Sequence, residues 1–176
     1  MKKLLMIGFL AALLLGACSE ETATEETTEE QKETEKTAQE TGNAKQEFMR
    51  FYMSVSKTIN ATDADLNTFE INQTEGTLPE GADLQAMKDA AKASAEKIAA
   101  AVEGIEIPET LADQKKDIET ALGSIEESYD MKADELTKEA DFEAAIAKFA
   151  EADEKLNDLL KAQELNPSSL YTEVAK

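Results

Sequence analysis

From Phe48 onward, apolar residues recur every three or four positions. Phe48, Tyr52, Val55, Ile59, Thr62, Leu66 and Phe69 form the first stripe, which predicts one face of a long amphipathic helix. Gly76, Pro79 and Gly81 interrupt it, and Thr77 with Glu80 offers a cap for the next helix. Leu84, Met87, Ala91, Ser94, Ile98, Val102 and Ile105 form a second stripe. Its many alanines favour helix and let a neighbour approach closely. Gly104 suits the end of that helix, and Pro108 suits the first turn of another.

The third stripe is Leu111, Ile118, Leu122, Ile125, Tyr129 and Leu136, with Lys115 in one seam position. The fourth is Phe142, Ile146, Phe149, Leu156, Leu160 and Leu165, closed by Asn166-Pro167. No Gly or Pro separates these two stripes, but the phase slips between Leu136 and Phe142. A turn at Thr137 to Asp141, with Asp141 as N-cap, accounts for the slip. Four stripes, short connections and no strand pattern predict an all-α fold, an up-down-up-down four-helix bundle over residues 44–165. Residues 166–176 are left as a C-terminal tail. A bundle of about 120 residues is long enough for one core, which the alanines should keep thin.

Upstream of the stripes the composition changes. Residues 19–43 hold nine Glu and seven Thr, with alanine as the only apolar type. Such a segment has nothing to bury, so residues 18–43 are expected to form a disordered acidic stalk. As a flexible coil it would span roughly 25–30 Å, and its own charge would stretch it.

The N-terminus has a different order again: Lys2 and Lys3, then mostly apolar residues Leu4 to Leu15, then Gly16, Ala17 and Cys18. Basic start, short apolar run and small residues before a cut are the parts of a secretion signal over residues 1–17. The apolar run is shorter than the about 20 residues a spanning helix needs. Leu15-Gly16-Ala17-Cys18 resembles the lipobox of bacterial lipoproteins. That resemblance implies cleavage between Ala17 and Cys18, lipidation of the Cys18 thiol, and a lipid-anchored place on the extracytoplasmic face of the cell membrane. Two acyl chains hold a protein stably where one holds it only marginally. The segment Ile107-Pro108-Glu109-Thr110-Leu111 ahead of a long amphipathic helix, with the Thr/Glu tether, is similar to small helical surface lipoproteins of Gram-positive bacteria. This likeness implies a cell-surface helical module and names no activity.

Charge narrows the partners. The chain carries 18 basic and 38 acidic residues, a net −20, and loss of residues 1–17 would take it to −22. Phosphate backbones and anionic headgroups are repelled, so nucleic acid is not an expected partner and membrane affinity falls to the lipid. The chain has no histidine and one cysteine. That removes the usual general base, Ser-His-Asp and Cys-His arrangements, and zinc sites built on Cys and His. With Cys18 acylated, no thiol remains for a disulfide.

The remaining motifs are weak. Asp63-Ala64-Asp65-Leu66-Asn67 starts like a calcium loop, but Thr68 and Thr74 stand where glycine and glutamate are needed, so it reads as a solvated helix face. Residues 140–149 resemble the second helix of a tetratricopeptide repeat, without the 34-residue period. Tyr52 and Tyr129 read as core residues with satisfied hydroxyls. The expectation is a non-enzymatic binding or scaffolding module with no catalytic residue, cofactor or metal. Its partner would be a membrane or cell-wall protein. A passive structural envelope lipoprotein and a small-ligand carrier with a bundle cavity are the alternatives.

Overall fold

The computed structural model describes residues 26–175, with side chains from residue 43 onward. The chain divides into two units, Met1–Thr37 and Ala38–Lys176, and the packed core described here lies in the second. The described residues are all-α: α1 (Glu26–Asn60), α2 (Ala64–Glu75), α3 (Gly81–Glu103), α4 (Lys115–Glu135), α5 (Glu143–Ala162) and α6 (Leu170–Val174). Six helices thus stand where four stripes were expected. The secretion signal at residues 1–17, the Ala17–Cys18 cut and the Cys18 lipidation lie outside the described residues.

Helix α1 begins at Glu26, inside the segment 18–43 for which composition predicts disorder. Within Glu26–Asn60 Glu, Gln, Lys and Ala are frequent and proline is absent. Extending a helix already nucleated further along is much easier than starting one. Residues 18–25 lie outside the described residues.

The first stripe is not one helix. Asn60-Ala61-Thr62-Asp63 breaks it, because Asn, Thr and Asp side chains compete with helical backbone bonds. Asp63 is buried in the break, where its Oδ2 accepts from the Asn67 amide at 2.9 Å. The buried Ser94 hydroxyl of α3 donates to the Thr62 carbonyl and pins the break from across the core. Asp63 is therefore no solvated helix face, and Thr62 sits exposed outside the stripe.

Helix ends depart from expectation for local reasons. Gly76, at φ +67°, ends α2; the Thr77 N–H reaches back to the Asn72 carbonyl at 2.9 Å and the Thr77 hydroxyl to the Asn72 side-chain oxygen at 2.9 Å. Thr77 thus closes the helix before it and does not open the one after. Pro108 leads into a 3-10 turn, Glu109–Gln114, that buries Leu111 completely before α4 starts. Lys115 is exposed at that start, paired loosely with Glu119 at 3.7 Å, and fills no seam.

The expected turn between α4 and α5 is present. Asp141 serves it by accepting the Glu143 N–H at 3.0 Å, although the helix boundary itself falls at Phe142. The extra turn residues rotate α5 so that Ala145 is fully buried and Ile146 is 40% exposed. The Ser128 hydroxyl of α4 locks this rotation by donating to the Ala145 carbonyl at 2.7 Å.

Helix α4 is central and packs against both α3 and α5, while α2 packs on α3. One apolar cluster joins all these helices, from Phe48 and Val55 through Ile98, Ile125 and Phe149 to Leu160. The C-terminal residues are part of it. Leu170 and Val174 of α6 are buried, so residues 166–175 form a strap docked on α5 where a tail was expected. Asp153 of α5 holds the strap: its carboxylate accepts the Ser169 hydroxyl at 2.6 Å and the Leu170 N–H at 2.8 Å. Asn157 accepts the Ser168 N–H at 2.9 Å.

Candidate functional site

Two places in the core gather polar and aromatic groups. The first is a box around Lys132. This lysine of α4 is 4% exposed. Its Nζ meets Glu70 Oε1 of α2 at 2.6 Å and lies 5.4, 5.7 and 6.0 Å from the ring centres of Tyr129, Phe142 and Tyr171. A cation over aromatic faces gains from the ring quadrupoles, most where water is excluded. The rings also brace each other: Tyr129 meets Phe149 edge-on at 6.1 Å, and Phe149 meets Tyr171 edge-on at 5.3 Å.

Burial, and then the Glu70 charge, push the Tyr129 and Tyr171 phenols above their ordinary range. Both rings stay neutral at physiological pH. Outside the box an open cleft of about 630 Å³ is rimmed by Glu139, Asp141 and Glu143, with Ile146 and Tyr171 in its walls. Every charged group at the heart of the box is partnered. Its chemistry is that of a joint tying α2, α4, the turn before α5 and the strap.

The second place is a cleft of about 490 Å³ between α1, the end of α5 and the strap. Met49, Tyr52, Met53 and Leu160 form its apolar walls; Lys57, Asn60, Asn166, Ser168 and Glu173 stand around them. Met53 is 65% exposed, whereas Tyr52 is 4% exposed. The Tyr52 hydroxyl has no hydrogen-bond partner. Burial raises its pKa; the neighbouring Ser168 side chain acts the other way without reaching hydrogen-bond geometry. The expectation of a satisfied hydroxyl therefore fails at Tyr52. The strap supplies only part of what that hydroxyl needs.

The anticipated site residues Ala17 and Cys18 lie outside the described residues. Tyr52 and Tyr129 are both in the core, but in different surroundings. Among the described residues no group of three or more acids or thiols is placed to hold a metal ion. No described helix is long and apolar enough to cross a membrane. Sequence reasoning missed Lys132 and Asp153. A lysine three residues after Tyr129 on an otherwise apolar face was a usable signal for the first; nothing local marked the second. No protein-family model matches the chain, and neither a curated protein nor a solved structure matches it.

Proposed function

We propose that this protein is a lipid-anchored, extracytoplasmic binding module: a helical body attached to the cell membrane through lipid on Cys18. The observation that carries the reading is the single cysteine closing Leu15-Gly16-Ala17-Cys18 after a short apolar run. The helical body supports it. Its long arms, α1 with α2, then α3, α4 and α5, read as an up-down bundle with the first arm broken at Asp63. At net −20 the chain is repelled by anionic headgroups, which leaves the lipid as the attachment. An anchored body gains effective concentration toward other membrane-bound partners without a strong contact.

Metabolic labelling with a fatty acid tests the anchor. Wild type should take up label and fractionate with membranes, and Cys18→Ala should do neither. Equal labelling of the two would sink the reading. Among the alternatives, a small-ligand carrier is favoured over a passive structural lipoprotein by one observation, the Tyr52 cleft with its unsatisfied hydroxyl.

A further inference from the structure

The Tyr52 hydroxyl is, among the described residues, the only buried side-chain polar atom without a hydrogen-bond partner. Native cores rarely leave such a group, because each forfeits the hydrogen bonds it had in water. The exceptions call for a reason. Here the residue lines a cleft whose apolar side is Met49, Met53 and Leu160 and whose remaining lining is polar. Methionine is flexible and polarizable, and it adapts to guests of differing shape.

Among the polar groups around this cleft, Tyr52 and Ser168 offer hydroxyls and Lys57 an ammonium. The Asn60 amide already donates to the Ser56 hydroxyl at 3.3 Å and the Glu173 carbonyl at 3.5 Å. Lys57 forms no ion pair among the described residues, although the chain holds 38 acids. Glu173 is the one acid of the lining and is itself exposed, and its charge and that of Asp153 both reach the Tyr52 hydroxyl. A guest that fits has an apolar body and a compact acceptor head.

We propose that the cleft between α1 and the C-terminal strap binds a small monocarboxylate with an apolar tail, the tail on Met49 and Met53 and the carboxylate on Tyr52 and Lys57. The hydroxyl is closed from solvent and Ser168 lies beside it, so on this proposal the head reaches it only when the Ser168 side chain turns aside. Binding then supplies the missing acceptor. The proposal deepens the binding reading and is independent of the anchor. Loss of the fatty-acid label would sink the anchor and leave this site; a silent cleft would sink this site and leave the anchor.

The test uses the full chain in lipid nanodiscs, with protein-free nanodiscs subtracted. Methionine methyl groups carry carbon-13, and hexanoate is titrated against hexylammonium, which has a similar tail and opposite charge. Hexanoate should shift the Met49 and Met53 methyls saturably and leave Met87 and Met131 in place. Hexylammonium should bind at least about tenfold more weakly, and Lys57→Gln should erase that preference. Tyr52→Phe should raise the melting temperature, because it removes an unsatisfied donor, and weaken hexanoate about tenfold. A tyrosine with a merely structural role would not move these two readouts in opposite directions. Unmoved Met49 and Met53 methyls at tens of millimolar hexanoate would overturn the proposal. So would a Tyr52→Phe chain that binds hexanoate as well as wild type, or one that melts earlier.

Discussion

The Lys132 box and the Tyr52 cleft place the same kinds of group in opposite states. Both bury a polar tip among aromatic or aliphatic side chains, and both are roofed in part by the C-terminal strap. In the box the Lys132 ammonium has its anion: it faces Glu70 at 2.6 Å, and three rings surround it. In the cleft the Tyr52 hydroxyl has no partner. A buried polar group that is fully met specifies packing. One that is left unmet holds free energy that a ligand can recover. Burial alone therefore does not separate a structural polar group from a functional one; its partners do.

The largest expected effect comes from breaking the box. Glu70→Ala leaves the buried Lys132 charge without its anion, which costs about 3 kcal/mol by analogy with other broken buried pairs. Replacing both partners, Glu70→Gln with Lys132→Met, should cost less than the single change, because no charge is then stranded. Urea unfolding of the three chains decides this. If Glu70→Ala were neutral, the box would be ornament and the contrast with the cleft would fail.

Asp153 connects the two regions. It holds Ser169 and Leu170, and the strap places Ser168 beside the cleft and Tyr171 over the box. Asp153→Ala removes charge-assisted bonds to three strap groups, for the Tyr171 N–H also approaches its Oδ1 at 3.3 Å. About 2 kcal/mol of stability should go with them. Hydrogen exchange should quicken at Leu170 to Val174 ahead of α4. Uniform quickening throughout would mean that the strap has no independent role.

How much of this could be read from the letters depends on range. The stripes were legible because burial in a helix leaves a period of three to four residues, and Val55, Ile98, Ile125 and Phe149 all prove buried. The turn between α4 and α5 was legible as a phase slip. The break at Thr62 was not, since Thr62 kept the spacing while the Ser94 hydroxyl, 32 residues away, captured its carbonyl. The strap was hidden for a similar reason. Leu170 and Val174 are too few to show a period, and the Asp153 carboxylate that docks them lies in another helix. The candidate cleft depends on the same docking. Tyr52 was visible as a core residue, but that its hydroxyl lacks a partner follows only from where Ser168 comes to rest.

Alkaline titration compares the two regions on one axis. All three tyrosines have raised pKa values, Tyr129 the most, with burial the first cause in each. A raised phenol keeps its proton in the folded chain after the unfolded chain has lost it. Its contribution is fully present below the unfolded value of 10.0 and is lost as pH climbs above it. Stability should fall above pH 10 by up to about 1.4 kcal/mol per pH unit for each tyrosine still protonated in the fold. Tyr129→Phe should flatten this limb more than Tyr52→Phe. The reverse order, from denaturant midpoints at successive pH values, would mean that the cleft is the more closed of the two sites.

The smallest effect is expected at an ion pair with the same length as that of the box. Lys45 and Glu164 also meet at 2.6 Å, but the Glu164 side chain is 83% exposed where the Lys132 side chain is 5% exposed. The Lys45 hydrogen bond and charge hold the Glu164 carboxyl below its ordinary 4.5. A depressed carboxyl contributes its stability above the unfolded value and loses it as pH falls through the folded one, so any effect belongs to the acid limb below pH 4.5. Water and salt screen a pair this open, and ordering two long side chains offsets most of what attraction remains. Lys45→Gln should therefore leave the urea midpoint at neutral pH within experimental scatter, while Glu70→Ala moves it far. Equal shifts from the two changes would show that distance governs these pairs. A large difference assigns the effect to burial, the property that makes an unmet hydroxyl at Tyr52 costly enough for a ligand to matter.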